Sequence, residues 1–105
     1  FSYIDDVVAA NLAACDVDPS RLVDAGGAIV NIAGGGPRSI NEILRAISDV
    51  VGVWIEPERT PRRAGDIRSS HADITRAHEL LGWEPKVPFS EAVARTVAYM
   101  RDHVA

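Results

Sequence analysis

The sequence is poor in cysteine, in long apolar runs and in excess positive charge. Its single cysteine, Cys15, excludes an internal disulfide framework and a cysteine-rich zinc site, and it predicts a reducing, cytoplasmic setting. The apolar runs are far shorter than the roughly 20 residues of a membrane-spanning helix, so we expect no membrane insertion. Eleven Lys and Arg side chains against fifteen Asp and Glu give a net charge of −4, which argues against nucleic-acid binding.

The length and overall composition are those of one globular domain. The chain has 105 residues, of which 47% are hydrophobic and 25% are charged. It begins with Phe1 rather than Met, and neither a charged segment nor an apolar signal segment follows. We therefore expect either a processed chain or a piece of a larger protein.

Strand-like and helix-like segments alternate along the chain, which predicts an α/β fold that is rich in helix, with short strands and four helices. The strands are expected at residues 1–4, 28–33 and 53–56. The first helix is expected to begin with Asp5 or Asp6 as its cap and to bury Val8, Leu12 and Cys15. A break follows at residues 18–20.

Three more helices are indicated by local signals. The second has a capping box of Ser39 and Glu42 and a terminating glycine, Gly52. A short third helix is capped by Asp73 and ends at Gly82, and the last begins near residues 88–90. The positions expected to face the core are Ile40, Ile43, Leu44, Ile47 and Val51 in the second helix, and Val93, Val97, Met100 and Val104 in the last.

The segment from strand to helix around residues 29–47 imitates a dinucleotide-binding loop. Gly34 and Gly36 fit the fingerprint, but Ser39 occupies the place of its third glycine. Pro37 also removes an amide that a phosphate would use. We interpret the loop as a turn.

A second candidate site is the charged segment at residues 62–66. Two adjacent arginines, Arg62 and Arg63, could grip a diphosphate through charge-assisted hydrogen bonds. Gly65 allows a tight bend, after which Asp66 could accept hydrogen bonds from sugar hydroxyls. On spacing alone, a solvated charged loop is the more common explanation of such a run.

No metal site is expected. The histidines His71, His78 and His103 share no ligand spacing with one another or with the cysteine. They are interpreted as surface or packing residues.

Four segments, in this order and spacing, resemble a known family. They are Phe1-Ser2-Tyr3-Ile4-Asp5-Asp6-Val7-Val8, Val30-Asn31-Ile32-Ala33-Gly34-Gly35-Gly36, Arg63-Ala64-Gly65-Asp66 followed by Ala72-Asp73-Ile74, and Leu80-Leu81-Gly82-Trp83-Glu84-Pro85. Together they resemble the C-terminal, substrate-binding third of an extended short-chain dehydrogenase/reductase of the NAD-dependent epimerase/dehydratase branch. The compact Arg-Ala-Gly-Asp spacing is most similar to that of UDP-glucose and UDP-N-acetylglucosamine 4-epimerases.

The resemblance implies a division of labour. In that family an N-terminal Rossmann domain binds NAD, and a Tyr-x-x-x-Lys pair performs the chemistry; neither motif is found in these residues. The implied reaction oxidises the sugar at C4, lets the 4-keto sugar rotate and returns the hydride to its other face. This chain alone is therefore expected to be inactive and to bind no cofactor. Its expected partners are a UDP-sugar, the Rossmann domain and, in a homodimer, a second copy.

The resemblance also assigns residues. Arg63 matches the arginine that contacts the diphosphate, and Asp66 matches the carboxylate that contacts the ribose, while Arg62 is expected to matter less. A structural role near the site is implied for Tyr3, Asp6, Asn31 and Gly65. Ala64 departs from the family, which often has proline there, so a more flexible loop is expected.

Two other functions stay open on the sequence. One is a non-catalytic module that recognises nucleotide sugars, and the other is a fragment of a dTDP- or UDP-sugar dehydratase or decarboxylase of the same family. A purely structural domain that dimerises through apolar helices is a weaker third.

Overall fold

The computed structural model describes residues 1–23 and 27–104, and within them it contains five α-helices and no strand. The helices are α1 (Ile4–Cys15), α2 (Ser20–Val23), α3 (Ile40–Val51), α4 (Thr75–Leu81) and α5 (Phe89–His103). The helix-rich character is confirmed, whereas the short strands of the predicted α/β fold are not. Residue 4 lies in α1, and residues 28–33 and 53–56 have no regular structure. A strand needs a neighbour that completes its hydrogen bonds, and residue preference alone does not supply one.

The extra helix is α2, which lies where the sequence indicated only a break. The carboxylate of Asp18 accepts the Ser20 backbone N–H over 2.9 Å. That bond, together with a side-chain hydrogen bond from Ser20, lowers the pKa of Asp18 below its ordinary value. The break at Asp18 is thus also the start of a single helical turn.

The residues form two compact units, and the first contains Phe1–Gly36 and Ala72–Phe89. Its core is small and consists of Ala10 from α1, Ala77 from α4 and Trp83 just after α4. Partly buried apolar side chains pack around these three: Val30, Ile32, Ile74 and Leu81. The indole N–H of Trp83 donates to the carbonyl oxygen of Asp6 over 2.9 Å, which ties the end of α4 to the start of α1.

The expectations for α1 were wrong in two respects. Its N-cap is Tyr3, so Asp5 and Asp6 lie in the first helical turn instead of capping it. Its buried side chains are Asp6 and Ala10, whereas the expected apolar stripe is exposed. The exposed fractions along that stripe are 49% for Val8 and 63% for Leu12, and Cys15 is also exposed. Small Ala10 faces the core because α4 packs close to α1 there.

The expected end of α4 is confirmed, since Gly82 ends the helix with a φ of 62°. That left-handed conformation carries little strain only in glycine. The expected cap of α4 is not confirmed: the N-cap is Ile74, and Asp73 lies one residue earlier, where its carboxylate accepts the Thr75 backbone N–H over 2.8 Å.

The second unit contains Pro37–His71 and Ser90–Ala105, and its best-defined element is α3. The expected capping box is confirmed, since the Glu42 N–H donates to the Ser39 hydroxyl and the Ser39 N–H donates to the Glu42 carboxylate. Gly52 ends the helix with a φ of 79°. The expected burial is seen only in part, because Ile43 and Leu44 are partly buried, whereas Ile40 is 75% exposed and Val51 41% exposed.

The last helix begins at Phe89, as expected, but no residue of α5 is buried. Val93 and Val97 are partly buried, while Met100 is 48% exposed and Val104, which follows the helix, is 58% exposed. The faces of α3 and α5 therefore keep much of their apolar surface in contact with solvent.

Candidate functional site

The irregular segment between α3 and α4 contains the 63–66 turn, the Arg-Ala-Gly-Asp segment. The Asp66 N–H donates to the Arg63 carbonyl oxygen over 3.4 Å, which closes the turn. Gly65 has a φ of 89°, while Ala64 has no positive φ. A positive φ at the third position alone is typical of a type II turn and favours glycine there. The ends of such a turn lie within about 7 Å of each other at their Cα atoms, so Arg63 and Asp66 are close neighbours.

The side chains at both ends of this turn are uncommitted. Arg63 and Asp66 are exposed, and within the part of the chain that the structure describes neither the guanidinium nor the carboxylate makes a hydrogen bond or an ion pair. A planar five-donor cation and a two-oxygen acceptor thus extend into solvent from the two ends of one turn. This pair can bind a ligand that carries both an anionic group and hydroxyl donors.

Arg62 behaves differently from its neighbour. Its Nη2 donates to the carbonyl oxygen of Asp66, across the base of the 63–66 turn. Of the two adjacent arginines, one is therefore bound to the protein backbone and the other is available. The resemblance already implied that Arg62 matters less than Arg63, whereas residue type alone does not separate two adjacent, exposed arginines.

The other residues with an implied structural role belong to the first unit. Tyr3 is the N-cap of α1, and its carbonyl oxygen accepts the Val7 N–H over 3.3 Å. The Asn31 amide donates to the Asp73 carbonyl oxygen over 3.2 Å. Whether these residues shape the ligand site stays a prediction, whereas Arg63, Gly65 and Asp66 do come together in one turn.

The role of Asp6 was only half foreseen. Its side chain is almost fully buried and accepts backbone N–H groups from Lys86, over 2.9 Å, and from Val87, over 3.3 Å. It therefore fixes the segment before α5 instead of the start of α1. The partners are about 80 positions away, so no local pattern could have named them.

The glycine loop at residues 34–36 is occupied by its own protein contacts. The Gly34 N–H donates to the Ser2 hydroxyl over 3.0 Å, and the Gly36 N–H donates to the Gly34 carbonyl oxygen over 2.7 Å. A Cβ on Gly34 would lie 2.0 Å from the Phe1 carbonyl oxygen, so glycine is required here by a close backbone approach. A dinucleotide phosphate needs free amides, and this loop does not fit one.

The described residues form neither a metal-binding cluster nor a membrane-spanning helix. Over residues 1–23 and 27–104, no three His, Cys, Asp or Glu side chains lie close enough to hold a metal ion together. No helix in the same ranges has the length and apolar character to cross a membrane.

Comparison with curated proteins gives full-length matches to this chain, although no family model matches it. A UDP-glucose 4-epimerase of Mycolicibacterium smegmatis is 40% identical over 102 residues, which cover 97% of this chain and 31% of the relative. A UDP-glucuronate 4-epimerase of Thermodesulfobacterium geofontis is 31% identical, covering 99% and 30%. A UDP-glucuronic acid decarboxylase 1 of Xenopus tropicalis is also 31% identical, covering 96% and 22%.

Two solved structures of UDP-sugar 4-epimerases also match this chain. The UDP-glucose 4-epimerase of Thermotoga maritima, crystallised with UDP-glucose, matches with a TM-score of 0.82 and 36% identity. A UDP-glucuronic acid 4-epimerase variant of Bacillus cereus, in complex with a fluorinated UDP-sugar and NAD, matches with a TM-score of 0.80 and 25% identity. The matches cover 99% and 97% of this chain but only 31% of each structure. The resemblance indicated by the four sequence segments is thereby confirmed: over nearly its whole length, the chain is homologous to the C-terminal region of the UDP-sugar 4-epimerases.

Proposed function

We propose that this chain holds the nucleotide end of the substrate in an NAD-dependent UDP-sugar 4-epimerase. Arg63 binds the diphosphate, and Asp66 accepts hydrogen bonds from the ribose hydroxyls. The observation that carries the proposal is the 63–66 turn, which has an exposed guanidinium at one end and an exposed carboxylate at the other, neither of them bonded to other described residues. The similarity to an epimerase crystallised with UDP-glucose supports the ligand class.

The chemistry of the two side chains suits the two parts of the nucleotide. A diphosphate carries closely spaced negative charges, and a guanidinium matches them with parallel N–H donors of fixed geometry. A carboxylate only accepts hydrogen bonds, so it selects hydroxyl donors and repels a further phosphate. Gly65 lets the chain reverse between the two side chains, so that one short turn serves both groups.

The similarity to UDP-sugar 4-epimerases supports 4-epimerisation as the reaction of the full-length protein. In that reaction the role of this chain is to bind the substrate. Its glycine loop offers no cradle for NAD, so we assign the cofactor to a Rossmann domain outside these residues. An epimerase must present both faces of the sugar ring for reaction. Holding the nucleotide and leaving the hexose free to turn is the contribution that these residues can make.

Substitutions at the two ends of the turn test this proposal in the full-length protein. Arg63→Ala is expected to raise the KM for UDP-glucose by about tenfold to a hundredfold, because a hydrogen bond from a charged donor contributes about 1.5–3 kcal/mol. Asp66→Asn is expected to weaken UDP-glucose binding and to leave NAD binding unchanged. Steady-state kinetics and calorimetric titration provide these readouts.

Arg59→Ala is the matched control, since it also removes one exposed guanidinium from the same segment. It is expected to change KM by less than about twofold, because a single exposed charge is strongly screened. If Arg59→Ala and Arg63→Ala have equal small effects, the segment is only a solvated charged loop and the proposal is wrong.

We also propose that the Rossmann domain covers the exposed stripe of α1 in the full-length protein. Ile4, Val8 and Leu12 lie on one face of the helix and are 61%, 49% and 63% exposed. Burying such side chains stabilises an interface by about 25 cal/mol per Å². Leu12→Glu is expected to lower the melting temperature of the full-length protein by several degrees. Ala14→Glu, on another face of α1, is expected to leave it unchanged.

A second candidate function is UDP-glucuronate decarboxylation, favoured by the match to the Xenopus tropicalis decarboxylase. The product of the full-length protein separates the two reactions. An epimerase converts UDP-glucose or UDP-glucuronate into its 4-epimer, whereas a decarboxylase releases carbon dioxide from UDP-glucuronate alone. Binding of UDP-sugars without either product would instead indicate a recognition module.

A further inference from the structure

We propose that Arg62 is a positioning residue for the nucleotide site. Its guanidinium holds the backbone of Asp66, so that the Asp66 carboxylate meets the ribose in a fixed place. The basis is the hydrogen bond from Arg62 Nη2 to the Asp66 carbonyl oxygen. This inference rests on the proposed function, because it assigns to Arg62 an effect on UDP-sugar binding that passes through Asp66.

The 63–66 turn needs such support because little else holds it. Its own closing bond, from the Asp66 N–H to the Arg63 carbonyl oxygen, is 3.4 Å long and therefore weak. Gly65 adds backbone freedom at the third position. Every residue from 61 to 70 is exposed, so side-chain packing does not confine the turn. Ala64 has no ring that would fix its own φ, as a proline would.

The hydrogen bond from Arg62 restrains the backbone of the 63–66 turn. Among the described residues, it is the one hydrogen bond besides the closing bond that reaches residues 63–66. Its donor is charged, and charge-assisted hydrogen bonds are roughly twice as strong as neutral ones. It also anchors Asp66 at the residue that carries the ribose-binding carboxylate. A small shift of the Asp66 backbone would therefore move its carboxylate away from the ribose hydroxyls.

The competing explanation is direct contact. A guanidinium has five N–H donors, so Arg62 could bond to the Asp66 carbonyl oxygen and still reach the diphosphate beside Arg63. The two roles differ in which partner they need. A positioning residue acts through Asp66 and has no effect once that carboxylate is gone, whereas a second diphosphate ligand acts whether or not Asp66 is present.

The first experiment measures the turn without ligand. Backbone 15N order parameters of Gly65 and Asp66 are recorded in the full-length protein and in its Arg62→Ala and Arg59→Ala variants. Arg62→Ala is expected to lower both order parameters from the range of a held backbone toward that of a flexible one, below about 0.6. Arg59→Ala is expected to leave them unchanged. Equal order parameters in all three proteins would overturn the positioning role, whatever the site binds.

The second experiment is a double-mutant cycle on the KM for UDP-glucose, using Arg62→Ala, Asp66→Ala and the double variant. Arg62→Ala is expected to raise KM about threefold to tenfold at unchanged kcat, which is the effect of one modest hydrogen bond. In the Asp66→Ala background, it is expected to raise KM no further. Arg62→Lys keeps one charged donor and is expected to recover most of the loss.

The outcomes separate this inference from the proposed function. If the two substitutions multiply independently, Arg62 contacts the diphosphate directly and the positioning role is wrong. If Asp66→Ala leaves KM unchanged, the proposed ribose contact is wrong, and with it the effect on binding assigned to Arg62. The order parameters then show only whether Arg62 holds the turn.

Discussion

Two aspartates in this chain show how differently the same side chain is used in two regions. Asp6, in the first unit, is 5% exposed, and its carboxylate accepts the backbone N–H groups of Lys86 and Val87. Asp66, in the 63–66 turn of the second unit, is exposed and its carboxylate is uncommitted. The first carboxylate holds the fold together, because its acceptors are already used by the chain. The Asp66 carboxylate is available to a ligand, because its oxygens accept no hydrogen bond from the described residues.

The largest change in stability is expected from a substitution in the buried core of the first unit. Trp83 is 5% exposed, packs with Ala10 and Ala77, and donates to the Asp6 carbonyl oxygen. Trp83→Ala is expected to lower the free energy of unfolding by about 3–5 kcal/mol, the usual cost of removing a buried large aromatic side chain. Denaturant unfolding measures it. Trp83→Phe keeps most of the packing and removes the N–H, so it should cost clearly less, and equal losses would mean that the hydrogen bond dominates.

The next largest change in stability is expected when an aspartate is replaced by alanine, and the two regions should differ in their response. Asp6→Ala leaves two backbone N–H groups without their acceptor, and an unpaired buried group costs about 1–3 kcal/mol. We therefore expect a loss of about 2 kcal/mol or more in the free energy of unfolding. Asp66→Ala should change it by less than about 0.5 kcal/mol, as substitutions of exposed, uncommitted side chains do.

The two aspartates are thus expected to exchange their phenotypes between assays. Asp66→Ala weakens UDP-glucose binding in the full-length protein, while its unfolding curve stays in place. A marked loss of stability in Asp66→Ala would show that the turn is part of the folded core, and the contrast between the regions would then disappear.

The sequence predicts the parts of this fold that are decided by near neighbours. The capping box of Ser39 and Glu42 and the terminal glycines Gly52 and Gly82 are all present. Each is settled by hydrogen bonds or backbone angles within about four residues, so the pattern contains the full information. The candidate turn at Gly65 is of the same kind.

Contacts between distant residues explain the errors. The face of α1 that is buried is decided by α4, more than 60 positions away, and periodicity cannot tell which of two apolar faces meets it. A strand at residues 28–33 would have required a pairing neighbour that the described residues do not provide.

A smaller loss of stability is expected at the start of α3. This helix end is exposed like the 63–66 turn, but its side chains are hydrogen-bonded within the protein, as that of Asp6 is. The Ser39 hydroxyl accepts the Glu42 N–H over 3.2 Å. Ser39→Ala removes this cap and is expected to lower the free energy of unfolding by about 1 kcal/mol. Ser39→Thr keeps a hydroxyl at the N-cap that can both accept and donate, and it should recover most of the loss, which denaturant unfolding would detect.

The smallest effect is a pH dependence at the same helix end. Backbone and side-chain hydrogen bonds from Ser39, with the nearby Arg38 charge, hold the pKa of Glu42 below its ordinary value of 4.5. A carboxyl whose pKa is lower in the folded state binds protons more tightly when unfolded, so it stabilises the fold at pH values above 4.5. That contribution is lost as the pH falls from 4.5 through the lowered pKa of the folded protein. Glu42→Gln keeps an acceptor for the capping box and does not titrate. The difference in unfolding free energy between the two proteins should therefore be constant near neutral pH and change only in this acidic window; a difference that is flat there would show that the Ser39 contacts do not favour the charged carboxylate.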